Sequence, residues 1–118
     1  MPPSARRPRR HDLRPLPPIP AAVYGLAGPF TVVRADRLES PDGERCAGLC
    51  EWPARIIRLD AALALPSAWL TLRHEWVHAI LDEQGVVLPP GPDYQTSPIE
   101  RVCNAIAVGM VGEMRSRE

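Results

Sequence analysis

The chain has no hydrophobic run long enough to cross a membrane. The longest uncharged stretch, residues 15–33, is broken by five prolines and two glycines, and the others are interrupted by Arg, Asp or Glu well before 18 residues, so no transmembrane helix is read. The apolar residues after the basic N-terminus are broken at once by Pro15, Pro17, Pro18 and Pro20, so no secretory signal is read there. Cysteine is scarce and odd in number: Cys46, Cys50 and Cys103. Without a signal segment, that count points to reduced thiols in a cytoplasmic setting. Cys46 and Cys50 are four apart, and no second pair completes a four-cysteine zinc site. On a strand they would lie about 13 Å apart, too far for a disulfide, and they read as small, partly buried side chains. Lysine is absent, so all 14 basic residues are arginine, a compositional bias with no functional meaning. No internal repeat is present.

What is present is uneven. The 118 residues make one domain with a modest core. Residues 1–20 hold seven prolines, and five arginines against Asp12, a net +4; the rest carries −4 and the total is zero. Such a segment buries too little apolar surface to offset its ordering entropy. It is expected to be a disordered arm, mainly a solubilising tail, with weak nucleic-acid contact as the functional alternative. Residues 21–118 form the expected folded domain. Strands are expected at 30–33, 45–52 and 55–59, with a turn at Ser40-Pro41-Asp42-Gly43. Residues 60–65 are a helical turn or a loop.

Residues 67–84 read as a helix stopped by Gly85. Trp69, Leu72, Trp76 and Ile80 form one apolar stripe, and Leu70, Val77 and Leu81 a second. Thr71, Glu75, His78 and Asp82 share the remaining face, with His74 at its edge. A helix apolar on two sides is central and mostly buried, so its polar strip needs partners. That strip contains His74-Glu75-Trp76-Val77-His78, an H-E-x-x-H motif that takes two of the three histidines in the chain. Imidazoles at i and i+4 lie one turn apart and can converge on one zinc ion, with the intervening glutamate placed as general base for a metal-bound water. A second helix opens at Ser97-Pro98, with Ile99, Val102, Cys103, Ile106, Met110 and Met114 expected on its inner face.

A catalytic zinc usually takes a third protein ligand. Glu100, in the first turn of the second helix, is the candidate, with Asn104 one turn on as a group that could orient a ligand. Glu100 also completes a capping box with Ser97, and spacing leaves the ligand and cap roles open. Asp82, Asp93, Glu113 and Cys103 are the other acids or thiols considered. Tyr94 and Arg101 are the candidates for stabilising an oxyanion.

These two motifs resemble those of the gluzincin metallopeptidases, in particular the compact ImmA/IrrE-type family. Residues 71–79 match its H-E-x-x-H helix. Glu100-Arg101-Val102-Cys103-Asn104-Ala105-Ile106-Ala107 is similar to its E-x-x-A-N-x-F-A, with Cys103 and Ile106 in place of Ala and Phe. The likeness covers residues 56–112. It implies a small sheet packed on the active-site helix, and zinc held by His74, His78 and Glu100. It also implies hydrolysis of a protein or peptide substrate with Glu75 as general base on a zinc-bound water. The expected fold class is α+β: a small antiparallel or mixed sheet on a central H-E-x-x-H helix, with a C-terminal helix carrying the third ligand. The alternative function is a catalytically silent zinc-binding regulatory or interaction protein of phage or mobile-element origin.

Overall fold

Four short strands pair into one mixed sheet. The computed structural model describes residues 13–88 and 97–116. Its elements are β1 (Ala22–Gly25), β2 (Gly28–Ala35), β3 (Gly48–Glu51), β4 (Ile56–Asp60), α1 (Leu65–Glu83) and α2 (Pro98–Met114). The sheet order is β1-β2-β4-β3. β1 and β2 form an antiparallel hairpin, β4 runs parallel to β2, and β3 is antiparallel to β4. The class is α+β with a mixed sheet. β1 is an element the sequence reading did not anticipate, since four residues give periodicity little to act on. No helix among the described residues is long and apolar enough to cross a membrane.

α1 lies across one sheet face. Trp69, Leu72 and Ala79 pack with Val23, Phe30, Ile57 and Leu59 from the strands and Val111 from α2. The helix begins two residues earlier than its apolar pattern suggests, because Pro66 sits in the first turn, where its missing N–H is not needed. It ends where expected. Gly85 adopts φ +69, and bonds from Gly85 N to Asp82 O and from Val86 N to Leu81 O close a Schellman motif.

The phase of α2 differs in part from expectation: Cys103 is buried and Met114 packs against the core as expected, but the rest of the face is rotated. Its buried residues are Glu100, Cys103, Ala107 and Val111, whereas Val102 and Ile106 are exposed. Hydrophobicity alone favoured the Val102/Ile106 side. The observed rotation turns Glu100 and Asn104 towards α1, and the small Cys103 and Ala107 let the two helices approach.

Residues 13–20 do not behave as a free arm. Leu16 and Ile19 pack against the core. The Pro17 carbonyl accepts the Trp69 indole N–H at 2.7 Å, and Arg14 N donates to Arg115 O at 2.9 Å. Proline content signalled disorder here, but the intervening apolar residues find a surface to cover. Residues 1–12 lie outside the described residues. Deleting 1–20 is therefore expected to destabilise the domain by about 2–4 kcal/mol through lost burial of the two side chains, a fall in Tm on the order of 10 °C. An unchanged melting curve would show that the segment contributes nothing.

Candidate metal centre

The motif residues meet where α1, α2 and the edge strand β3 converge. β3 comes close because Gly48 has no side chain: a Cβ there would stand 2.6 Å from Thr71 Cγ2 and 3.0 Å from Glu75 Cγ. His74, Glu75 and Glu100 are each 8% exposed, so this is a polar group inside the protein.

Glu100 spans both histidines. Its Oε2 lies 2.7 Å from His74 Nε2 and its Oε1 lies 2.8 Å from His78 Nε2, while the two Nε2 atoms are 3.1 Å apart. The Asn104 side-chain oxygen faces His74 Nδ1 at 2.6 Å. Nδ1 then carries a hydrogen and donates it, which in the neutral ring leaves His74 Nε2 a lone pair directed at Glu100. Glu100 Oε2 is buried with no hydrogen-bond partner among the described residues. With the neutral ring, the 2.7 Å separation brings two lone-pair-bearing atoms together with no hydrogen between them. Three acceptor-bearing groups crowd together with too few protons, which is the chemistry of a cation site. Ligand atoms on a tetrahedral zinc would stand about 3.3 Å apart, given bonds near 2.0–2.1 Å. The donor set fits the ion after each contact opens by a few tenths of an ångström.

A second possible triad is His74, Glu75 and His78, whose ligand atoms lie within 4.8 Å of one another. Glu100 would be the better-placed third ligand for an ion, because both its oxygens already touch the imidazoles, and Glu75 would then stand beside it. Burial, reinforced by the Glu100 charge, pushes the Glu75 carboxyl up to about 7; a bound cation would pull it down again. Burial also lowers the pKa of His78, favouring the neutral imidazole that a metal requires.

The capping alternative for Glu100 finds no support in geometry. Ser97 occupies the N-cap position and Pro98 opens the helix, but no side-chain cap bond forms. Glu100→Gln is therefore expected to weaken zinc binding severely, because it removes an anionic oxygen, while Ser97→Ala leaves zinc in place and costs well below the usual ~1 kcal/mol of a lost cap. Equal, full zinc occupancy in both variants, measured by elemental analysis, would remove Glu100 from the ligand set.

Of the other candidates, Asp82 lines the same cleft but is exposed. Cys103 is fully buried in the core, its thiol pushed up to about 12 by burial and then by the Glu100, Glu75 and Asp82 charges. Arg101 is exposed. Glu113 lies thirteen residues along α2 from Glu100, a rise of about 20 Å. Asp93 and Tyr94 lie outside the described residues.

The cleft over the site measures about 330 Å³. Besides Glu75, His78 and Glu100 its wall includes Ser40, Cys46 and Cys50, none of which the sequence marked as functional. The cysteines are free and half-buried, and the Cys50 thiol is pushed up to about 12 by burial and then by neighbouring carboxylates, Glu75 first. A larger cavity, about 580 Å³, lies between residues 16–21, β2 and Leu65; it holds no metal-ligating or acid–base side chain.

No family model matches this chain, and neither a curated protein nor a solved structure matches it.

Proposed function

We propose that the chain is a small zinc metallopeptidase of the gluzincin type, with His74, His78 and Glu100 holding the metal and Glu75 acting as general base. The observation that carries this reading is the position of Glu100. A carboxylate from a separate helix places both oxygens on the two imidazoles of the motif, and Glu75 is left unbound beside them in an open cleft.

When bound, the zinc would supply Lewis acidity, polarising a peptide carbonyl and lowering the pKa of a water towards about 7. The chain's own residues do the rest. Glu75 takes a proton from the attacking water, whose oxygen bonds to the carbonyl carbon. The C–N bond then breaks, and Glu75 delivers that proton to the leaving nitrogen. Asn104 holds the His74 ring in the tautomer that leaves Nε2 free. Gly48 keeps β3 against Glu75, which fixes one wall of the cleft.

The alternative is a catalytically silent zinc-binding interaction protein using the same ligands. Its supporting observation is the exposed pair Val102 and Ile106, one turn apart on the outer side of α2. A peptide-library digest followed by mass spectrometry separates the two readings. The metallopeptidase reading expects discrete cleavage by the zinc-loaded protein, suppressed by 1,10-phenanthroline and restored by zinc. Absence of cleavage across the library by zinc-loaded protein would favour the interaction protein.

A further inference from the structure

Ser40 stands in the wall of the cleft with Glu75, His78 and Glu100, and its hydroxyl is buried with no hydrogen-bond partner among the described residues. A buried hydroxyl left unpaired costs about 1–3 kcal/mol, and native structures keep few of them. The backbone of Ser40 is fully engaged elsewhere. Its N–H donates to Glu44 O at 2.7 Å and its carbonyl accepts Gly43 N at 2.9 Å, with a Glu39–Arg45 bridge just outside. The loop carrying this turn is anchored on Asp60, whose carboxylate accepts the Leu38 N–H at 3.2 Å and Arg45 Nε at 3.4 Å. The hydroxyl is thus held in place by contacts that do not involve the hydroxyl itself.

Among the side chains lining this cleft, Glu75, Asp82 and Glu100 accept hydrogen bonds when ionised, the Cys46 and Cys50 thiols are weak donors, and His78 directs its Nε2 at Glu100 Oε1. Ser40 carries the hydroxyl donor. A peptide lying in the cleft brings carbonyl oxygens that need donors. We propose that Ser40 is a substrate-contacting residue, whose hydroxyl donates a hydrogen bond to a carbonyl oxygen of the bound peptide. This rests on the metallopeptidase reading and adds to it a group that neither histidine nor glutamate supplies.

The test uses the full chain loaded with cobalt(II), whose visible bands report ligand binding, and a dipeptide hydroxamate as probe. Wild type, Ser40→Ala and Ser40→Thr are titrated and melted. Ser40→Ala is expected to bind the hydroxamate about 3- to 10-fold more weakly, the range for one net hydrogen bond. Ser40→Thr, which keeps the hydroxyl, restores the wild-type affinity. Free Ser40→Ala should melt no lower than wild type, because it loses an unsatisfied group and not a contact. Equal affinity of wild type and Ser40→Ala overturns the proposal. So does a lower Tm in Ser40→Ala, whatever its affinity, because that assigns the hydroxyl a structural partner. If wild type takes up no cobalt, the metal reading itself fails and the role of Ser40 falls with it.

Discussion

Replacing His74 or His78 with alanine is expected to strip the metal from the protein. Wild type purified without chelators should carry about one zinc per chain and either variant almost none, since two protein ligands rarely retain a catalytic zinc. The same substitutions should uncouple stability from zinc. A ligand present at 100 times its Kd stabilises the folded state by about 2.7 kcal/mol, so chelation should lower the wild-type Tm on the order of 10 °C. The alanine variants should melt at one temperature with or without chelator. This comparison separates metal loss from simple loss of packing. Glu100 Oε2 lies 2.7 Å from His74 Nε2 and Oε1 lies 2.8 Å from His78 Nε2, so the three groups crowd one another. Removing one imidazole relieves part of that crowding, and chelated wild type and chelated variants should melt closer together than their zinc-treated forms do. Zinc-free wild type whose melting ignores both zinc and chelator would end the metal hypothesis.

The parts of this architecture legible in the sequence are those with a strong local signal. The H-E-x-x-H spacing, the apolar stripes around it and the Gly85 stop place α1 to within two residues at its start and one at its end. β-branched residues and turn chemistry locate β2, β3 and β4, and Pro98 marks the first turn of α2. What local signals cannot specify is rotation and approach. The inner face of α2 follows from a few polar contacts, Glu100 on the histidine pair and Asn104 on His74, and these outweigh the greater hydrophobicity of the Val102/Ile106 side. Composition failed at residues 13–20, where Leu16 and Ile19 find the core despite their proline neighbours. Ser40 was beyond reach for a different reason. A serine in a turn has an ordinary local explanation, and only the folded loop shows that the residue lines the cleft and that its hydroxyl is buried without a partner. The choice between cap and ligand for Glu100 was likewise open in sequence, since N3 of a helix suits both roles.

Glu75→Gln is expected to keep zinc and lose hydrolysis. Glutamine preserves the size and shape of a side chain that is 8% exposed and packed under Gly48, so the fold and the His74/His78/Glu100 cluster should persist. It cannot take a proton from water. The cleavage rate on any peptide identified for the wild type should fall by about 10²–10⁴, the usual contribution of a general acid–base group. The metal-free protein offers an independent check. Burial and the Glu100 charge hold the folded Glu75 carboxyl at about 7, above its ordinary 4.5. Between those values the folded state binds more protons than the unfolded state, so this group makes stability fall as pH rises. Metal-free wild type should therefore lose stability from pH 4.5 to about 7, and metal-free Glu75→Gln should lose less across the same window. A Glu75→Gln protein that retains zinc and wild-type turnover would remove Glu75 from the mechanism, and the same pH profile in both proteins would show that its carboxyl is not perturbed by the buried site.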